Sequence, residues 1–360
     1  MSDETKIPHG VMEGKGAYNR YAKLPAGGAA LAVPLLEKAV RRVAIDQGER
    51  PLVIADYGSS QGKNSLAPMR LAINDLRSRA GAGRPIFVYH IDQASNDFNS
   101  LFEVLDSDPD RYDLDDTQVY PSAIGRSFYD QVLPRNYVDL AWSSYAAVWL
   151  SRVPGPISGH FIAFRAGGEP IPEFASQAAR DWEAFLSLRA LELRPGGRLV
   201  VVLPARQEDG TSGFENLMNE ANEVLGDMVA AGALLAEERA RMALGSYPRR
   251  KSELLAPFQP TGHFRQLIVE DCEISVLPDA ARAEYERDGN KEALVAKHAL
   301  FFRSIFVPSL ASALRHAADP EACRAFGDRM ESGLKARLAK QPVALNSFVS
   351  TIVLAKQGAG

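Results

Sequence analysis

The apolar run LVIADYG (52–58) leads into Gly58-Ser59-Ser60-Gln61-Gly62-Lys63-Asn64, and here the sequence first offers chemistry. Glycines at 58 and 62 permit a tight turn and close approach of a ligand to the backbone. Four readings compete. A phosphate loop needs G-x-x-x-x-G-K-[ST]; the spacing is one residue short, and Asn64 stands where Ser or Thr would hold magnesium. A dinucleotide fingerprint needs G-x-G-x-x-G, but its middle glycine is Ser60. Gly58 to Gly62 does satisfy G-x-S-x-G, the nucleophile elbow of α/β-hydrolases, with Ser60 as nucleophile and His263 or His298 as base. That fold needs earlier strands and an oxyanion loop, and residues 1–50 offer neither. The fourth reading is an adenosyl pocket, which needs an acid at the end of the second strand. Asp92 ends IFVYHID (86–92), and one carboxylate can accept both hydroxyls of a vicinal diol. The same residue could cap a helix, and position alone leaves both roles open. Downstream, Tyr145 and Trp149 stand one helical turn apart in SSYAAVW (143–149). Such a pair forms either core or the wall of a site.

The elements that must position these residues follow from hydrophobic periodicity. LVIADYG, IFVYHID and YVDLAWSSY (137–145) read as buried parallel strands, with a shorter one near Val119. Helical patterns cover 29–46, 65–79, 96–105 and 174–193, and the pair Gly196-Gly197 is expected to cap the last. GRLVVVLPA (197–205) follows as another strand. Alternating strands and helices predict a parallel sheet with βαβ crossovers. Beyond residue 206 the expectation is helices over 213–243, irregular chain over 247–262, a strand at 265–275, helices over 279–316 and 320–340, and a closing strand at 347–356. The organisation expected is an N-terminal arm (1–28), a core (29–206), a helical cap (207–262 and 279–340) and late strands (263–278 and 345–357).

Composition narrows the class. Lysine and arginine number 41 against 45 acids, a net charge of −4, which argues against a nucleic-acid binder. There is no run of about 18 apolar residues to cross a membrane, and MSDETKIPHG lacks the apolar stretch of a signal peptide. Two cysteines, Cys272 and Cys323, read as reduced thiols in the cytoplasm, and the scattered histidines lack zinc spacing.

These motifs resemble the SABATH family of S-adenosylmethionine-dependent carboxyl methyltransferases, and the likeness runs through most of the chain. MEGKGAYNRYAK (12–23) is similar to M-x-G-G-x-G-x-x-S-Y-A-x-N-S, and IADYGSSQGKNSL (54–66) to I-A-D-L-G-C-S-S-G-P-N-x-L. HIDQASNDFNSLF (90–102) resembles N-D-L-x-x-N-D-F-N-x-x-F. GRSFYDQVLPRNYVDLAWSSYAAVWLSRVP (125–154) looks like G-S-F-Y-x-R-L-F-P followed by S-S-Y-S-L-x-W-L-S-x-V-P, and LRPGGRLVVVLPAR (193–206) resembles V-P-G-G-R-M-V-L. The resemblance implies a Rossmann-like class I methyltransferase sheet, mostly parallel with an antiparallel last strand, under an α-helical cap. It implies S-adenosyl-L-methionine as cofactor, S-adenosyl-L-homocysteine as product, and a small carboxylic acid methylated by in-line displacement. The family is commonly a homodimer; charge and hydropathy, as above, point to no nucleic-acid or membrane partner.

By the same resemblance, Tyr21 would pack on the methionine end of the cofactor. Gly58, Ser59 and Asn64 would form the first loop, Asp92 would hold the ribose with Gln93 beside the adenine, and Ser127 and Phe128 would flank the adenine. Trp149 and Tyr145 would act on the acceptor, the indole N–H holding its carboxylate, with Val148 shaping the pocket and Tyr247 forming another wall. Two positions depart from the family. Its carboxylate-clamping glutamine falls at Gly28, so that either another donor such as Asn19 or Lys23 replaces it or the acceptor differs, and a family histidine is Trp142. A carboxylate is ionised at neutral pH and needs no general base. Positioning of reactants can supply about 7–11 kcal/mol. The readings left beside this one are a ring-nitrogen acceptor, the Ser60 esterase, and a sensor that binds the cofactor without turnover.

Overall fold

The computed structural model describes residues 23–164 and 171–358. Five strands form its parallel part: β1 (Leu52–Tyr57), β2 (Ile86–Asp92), β3 (Val119–Gly125), β4 (Val138–Ser144) and β5 (Leu193–Ala205). Every residue of β1 is buried, which is why the strand reads as an unbroken apolar run. Its alternate residues serve opposite layers. Val53, Ala55 and Tyr57 join the core that holds Trp182, Phe185 and Leu186, whereas Leu52 and Ile54 join the one that holds Leu36, Val40, Met69 and Ile73. The first group lies on α5 (Pro172–Glu192), the second on α2 (Val33–Arg42) and α3 (Leu66–Ala80).

The sheet order is β3-β2-β1-β4-β5-β8-β7-β6, with β6 at His263–Phe264, β7 at Leu267–Leu277 and β8 at Ser347–Lys356. Strand β1 pairs in parallel with both β2 and β4, Ile54 standing opposite Val88 and Leu140. The order reverses at this point, and the loops after β1 and β4 therefore open a crevice between them, the usual place for a ligand in such sheets. Strand β8 runs antiparallel between β5 and β7. The fold is the class I methyltransferase sheet, mostly parallel with an antiparallel end.

Three local expectations are revised. The first helical pattern starts earlier, as α1 (Lys23–Leu31), and breaks before α2, which has a proline in its first turn. Gly196 and Gly197 do not cap α5. That helix ends at Glu192 and the chain enters β5 at once, with Leu193 already extended. The glycines lie inside β5, at the register shift between Val138 and Leu140 on β4. Gly196 has φ +81° there, and a Cβ would fall 2.5 Å from that of Ala44. A bulge pressed against a neighbour, not a helix end, requires them. The segment 145–149 is a turn, not a helix.

The remaining helices are α4 (Phe98–Ser107), α6 (Glu215–Ala230), α7 (Ala236–Arg241), α8 (Lys251–Leu255), α9 (Ala280–Asp288), α10 (Lys291–Ala311) and α11 (Pro320–Lys340). Helix α10 is long and apolar, and most of it is buried. Its Phe301, Phe302 and Leu310 join Leu217 and Met218 of α6 and Met330 and Leu334 of α11 in the same core as Val201 and Leu203 of β5. The late helices thus close onto the sheet through continuous apolar contact.

Candidate functional site

Two loops meet at the strand ends. After β1 the chain turns through Gly58 (φ +89°), Ser60 (φ +50°) and Gly62 (φ +84°). The Gly58 and Ser59 amides both donate to the Ile91 carbonyl, at 2.7 and 3.2 Å, which pins the turn to β2. A Cβ on Gly58 would fall 2.0 Å from the Cβ of Ala146 in the loop after β4. Only glycine lets the two loops approach this closely.

Asp92 is built into the same turn. Its Oδ2 accepts from the Ser60 amide at 2.7 Å and its Oδ1 from the Gln93 amide at 2.8 Å. Each oxygen keeps a lone pair for a ligand hydroxyl. Burial pushes the carboxyl up to about 6, the two amides oppose that shift, and the buried charge of Asp56 adds to it. Asp56 lies beneath the loop, accepting from Ser65 Oγ at 2.5 Å and facing His90 Nδ1 at 3.0 Å. Phe128 borders the cleft on a loop held from α5. Arg189 donates to the Phe128 carbonyl at 2.8 Å, and Glu192 accepts from the Val132 and Leu133 amides and from the Tyr57 hydroxyl. Burial keeps that hydroxyl protonated, its pKa far above the usual value.

The loop after β4 carries Tyr145, Val148 and Trp149 into the cleft. Tyr145 has φ +59°, and its amide donates to Val202 at 2.7 Å. The back of the turn is braced at alternate residues. Arg249 Nη1 donates to the Ala147 carbonyl at 2.7 Å, the Tyr129 hydroxyl to the Trp149 carbonyl at 2.6 Å, and Asp181 accepts from the Ser151 amide at 2.8 Å. Arg249 is wholly buried, and burial pulls its pKa down. Beyond Trp149 the walls turn apolar: Phe214, Met218, Ile162, Phe164, Leu244, and Phe301, Ile305 and Phe306 of α10. No lysine, arginine or histidine among the described residues lines the cleft.

The structure thus brings Gly58, Asp92, Gln93, Phe128, Tyr145, Val148 and Trp149 onto one cleft. Ser59, Asn64, Ser127 and Tyr247 are not among its lining residues. Ser59 is buried in the turn, Asn64 lies in the short helical turn Lys63–Ser65, and Ser127 Oγ accepts from the Tyr129 amide at 3.2 Å. Tyr247 faces the other way: its hydroxyl donates to Glu253 at 2.6 Å and accepts from Arg206 at 2.8 Å. Its neighbours Ser246 and Pro248 face the cleft instead, because an extended chain alternates its side chains. Tyr21 and Asn19 lie outside the described residues, as does the Lys23 side chain. Trp142 stands in β4 and faces the core with Leu36, Val40 and Met69. Gly28 also has a reason here. A Cβ at that position would fall 2.1 Å from the Tyr145 hydroxyl, so tyrosine fills the space in which a side chain at 28 would begin.

The esterase reading of Ser60 fails on geometry. His263 stands on the edge strand β6, and His298 Nε2 faces Asp279 at 2.9 Å. Neither lines the cleft, so among the described residues Ser60 has no histidine base beside it. Sequence reasoning missed Ser246, the phenylalanines of α10, and the Arg249 brace. The only advance signal was the apolar stripe Phe301, Ile305, Phe306, which plain core packing also produces.

Comparison with known proteins identifies a family and a fold. A family model described as SAM dependent carboxyl methyltransferase matches residues 8–356. Methyltransferase LUC1 of Fusarium sp is 29% identical over 281 residues, covering 76% of this chain and 74% of the relative. Gibberellic acid methyltransferase 2 of Arabidopsis thaliana is 25% identical over 282 residues, 72% of each. A solved loganic acid methyltransferase with SAH superposes with a TM-score of 0.77 at 20% identity, over 96% of this chain and 99% of that one, and shares the fold.

Proposed function

The chain belongs to the SAM dependent carboxyl methyltransferase family, and from that premise we propose that its acceptor is a bulky, largely apolar monocarboxylic acid held at Trp149. The protein is an S-adenosylmethionine-dependent carboxyl O-methyltransferase, which converts a carboxylic acid into its methyl ester. The cleft fits that cofactor. Gly58 leaves a cradle that any Cβ would fill, Asp92 keeps two lone pairs for a ribose diol, and the buried hydroxyls of Ser59 and Ser60 have no partner among the described residues. Bound S-adenosylmethionine supplies a methyl group on a positively charged sulfur.

In this reading the chain's own residues bind, orient and exclude water. Asp92 holds the ribose, Gln93 and Phe128 border the adenine, and Ser59 and Asn64 support the loop from behind. Tyr21 belongs to the proposal by resemblance. The Trp149 indole donates to the acceptor carboxylate, with Tyr145 and Val148 shaping the pocket around it. No base is needed, since the acid is already ionised. The observation that carries the acceptor class is the wall itself. A short dicarboxylic acid would place its second charge against Phe301, Ile305 and Phe306, with no cation to meet it. A ring nitrogen would meet Val148 where it wants a polar partner. A cytoplasmic homodimer completes the proposal, supported by family resemblance and by the free thiols of Cys272 and Cys323.

Calorimetry with S-adenosylhomocysteine, on wild type and Asp92→Ala, tests the cofactor half. Micromolar binding that the variant loses while staying folded is the expected result. Labelled-methyl transfer to a panel of aromatic, terpenoid and short dicarboxylic acids tests the rest. Turnover confined to the dicarboxylic acids would overturn the acceptor assignment.

A further inference from the structure

Gly28 removes the usual clamp, and the cleft has no lysine or arginine among the described residues to take its place. The chain segment 244–248 supplies a donor instead. It lies antiparallel beside 148–150. The Leu150 amide donates to the Gly245 carbonyl at 2.6 Å, and the Tyr247 amide to the Val148 carbonyl at 2.9 Å. These two bonds flank Trp149 and Ser246, which form an antiparallel bridge. A pair flanked in this way is the non-hydrogen-bonded kind, with Cα atoms about 4.5 Å apart and side chains on the same face at their closest. The alternation agrees: Leu244, Ser246 and Pro248 all line the cleft, while Tyr247 points into the packing behind it.

Ser246 is only 7% exposed, and its hydroxyl makes no hydrogen bond to any described residue. A hydroxyl that opens on the cleft and is not tied to a described residue can donate to a ligand there. We propose that Ser246 is a second acceptor-binding residue: its Oγ–H donates to the substrate carboxylate beside the Trp149 indole N–H. The inference rests on the reading of this half of the cleft as a carboxylate site. Two donors from neighbouring side chains fix the plane of the carboxylate, which a single indole cannot do, and a hydrogen bond to an ionised acceptor is among the stronger ones.

The test uses the full chain, saturating S-adenosylmethionine, and whichever panel acid the wild type methylates. Ser246→Ala should raise KM for the acid by about tenfold or more, the loss expected for one hydrogen bond to a charged group. Its kcat, its affinity for S-adenosylhomocysteine and its Tm should stay near wild type. Ser246→Thr, which keeps the hydroxyl, should recover most of the loss. A KM for Ser246→Ala within twofold of wild type overturns the assignment, and so does a KM change matched by equal losses in cofactor affinity and Tm. If the wild type binds S-adenosylhomocysteine but methylates no acid on the panel, the acceptor reading itself falls and takes the serine with it.

Discussion

Asp92 and Trp149 border the same cleft, yet they are held by different means. Asp92 is fixed by backbone amides of its own strand end and of the neighbouring loop, Gln93 and Ser60. These are short-range consequences of two adjacent parallel strands. Trp149 sits on a turn braced from behind by Arg249, Tyr129 and Asp181, and its walls come from helices α6 and α10. The proposed cofactor half is a product of the sheet; the proposed acceptor half is a product of side chains brought in from late in the chain. One half cannot change without breaking the strand ends. The other can be relined by substituting helix residues, which is what a scaffold serving different acids needs.

The point where the halves touch should show the largest effect. Gly58→Ala puts a Cβ 2.0 Å from that of Ala146 at a φ of +89°. Loss of about a hundredfold in both cofactor affinity and turnover is expected, from strain of a few kcal/mol. If acid KM alone rises, the halves are less coupled than the contact implies. Trp149→Phe should isolate the acceptor half: kcat/KM falls about 10–100-fold through loss of a donor to a charged oxygen, while affinity for S-adenosylhomocysteine holds. A parallel fall in cofactor affinity would break the division.

Asp92 gives the cofactor half a pH signature. Ligand hydroxyls donate to the ionised carboxylate, which is pushed up to about 6. Affinity for S-adenosylhomocysteine should be level above pH 7 and weaken about tenfold by pH 5, as the carboxylate takes up a proton. Folding carries the opposite sign. A carboxyl whose folded pKa is raised contributes stability that is fully present below the unfolded value near 3.8 and is lost as pH rises through about 6. The thermal midpoint of the free protein and its cofactor affinity should therefore move in opposite directions across that window.

Two smaller effects sharpen the acceptor side. Arg249→Met keeps the length but drops the bond to Ala147. Acid KM should rise about fivefold through the turn, and the thermal midpoint should fall, because the buried Ala147 and Ala178 carbonyls both lose their donor. Gly28→Ala should raise acid KM two- to threefold, about the effect of a ring displaced by less than 1 kcal/mol. The clash there is with the far end of the Tyr145 side chain, which can give way.

How far the sequence could be read follows the same division. Strands β1 and β4 were legible because a strand buried on both faces must be a short apolar run. Gly58 and Asp92 were legible because each stands where a strand stops. Ser246 was not, because the parity of an irregular extended segment is set by what it pairs with. Reading Tyr247 as the wall misplaced the cleft by one residue, and one residue reverses the face. Gly196-Gly197 resembled a helix cap, since a doublet after a helical pattern fits a C-cap as readily as a bulge.

By itself the sequence determined the sheet, the crevice at its switch point, the glycine turn and the acid facing it, since each depends on residues close together in the chain. Tertiary structure alone decided which apolar side chains of α6 and α10 line the cleft, which guanidinium holds the turn, and why residue 28 is glycine. Those outcomes depend on contacts between segments far apart in sequence, and an apolar stripe such as that of α10 reads the same whether it packs a core or lines a cleft.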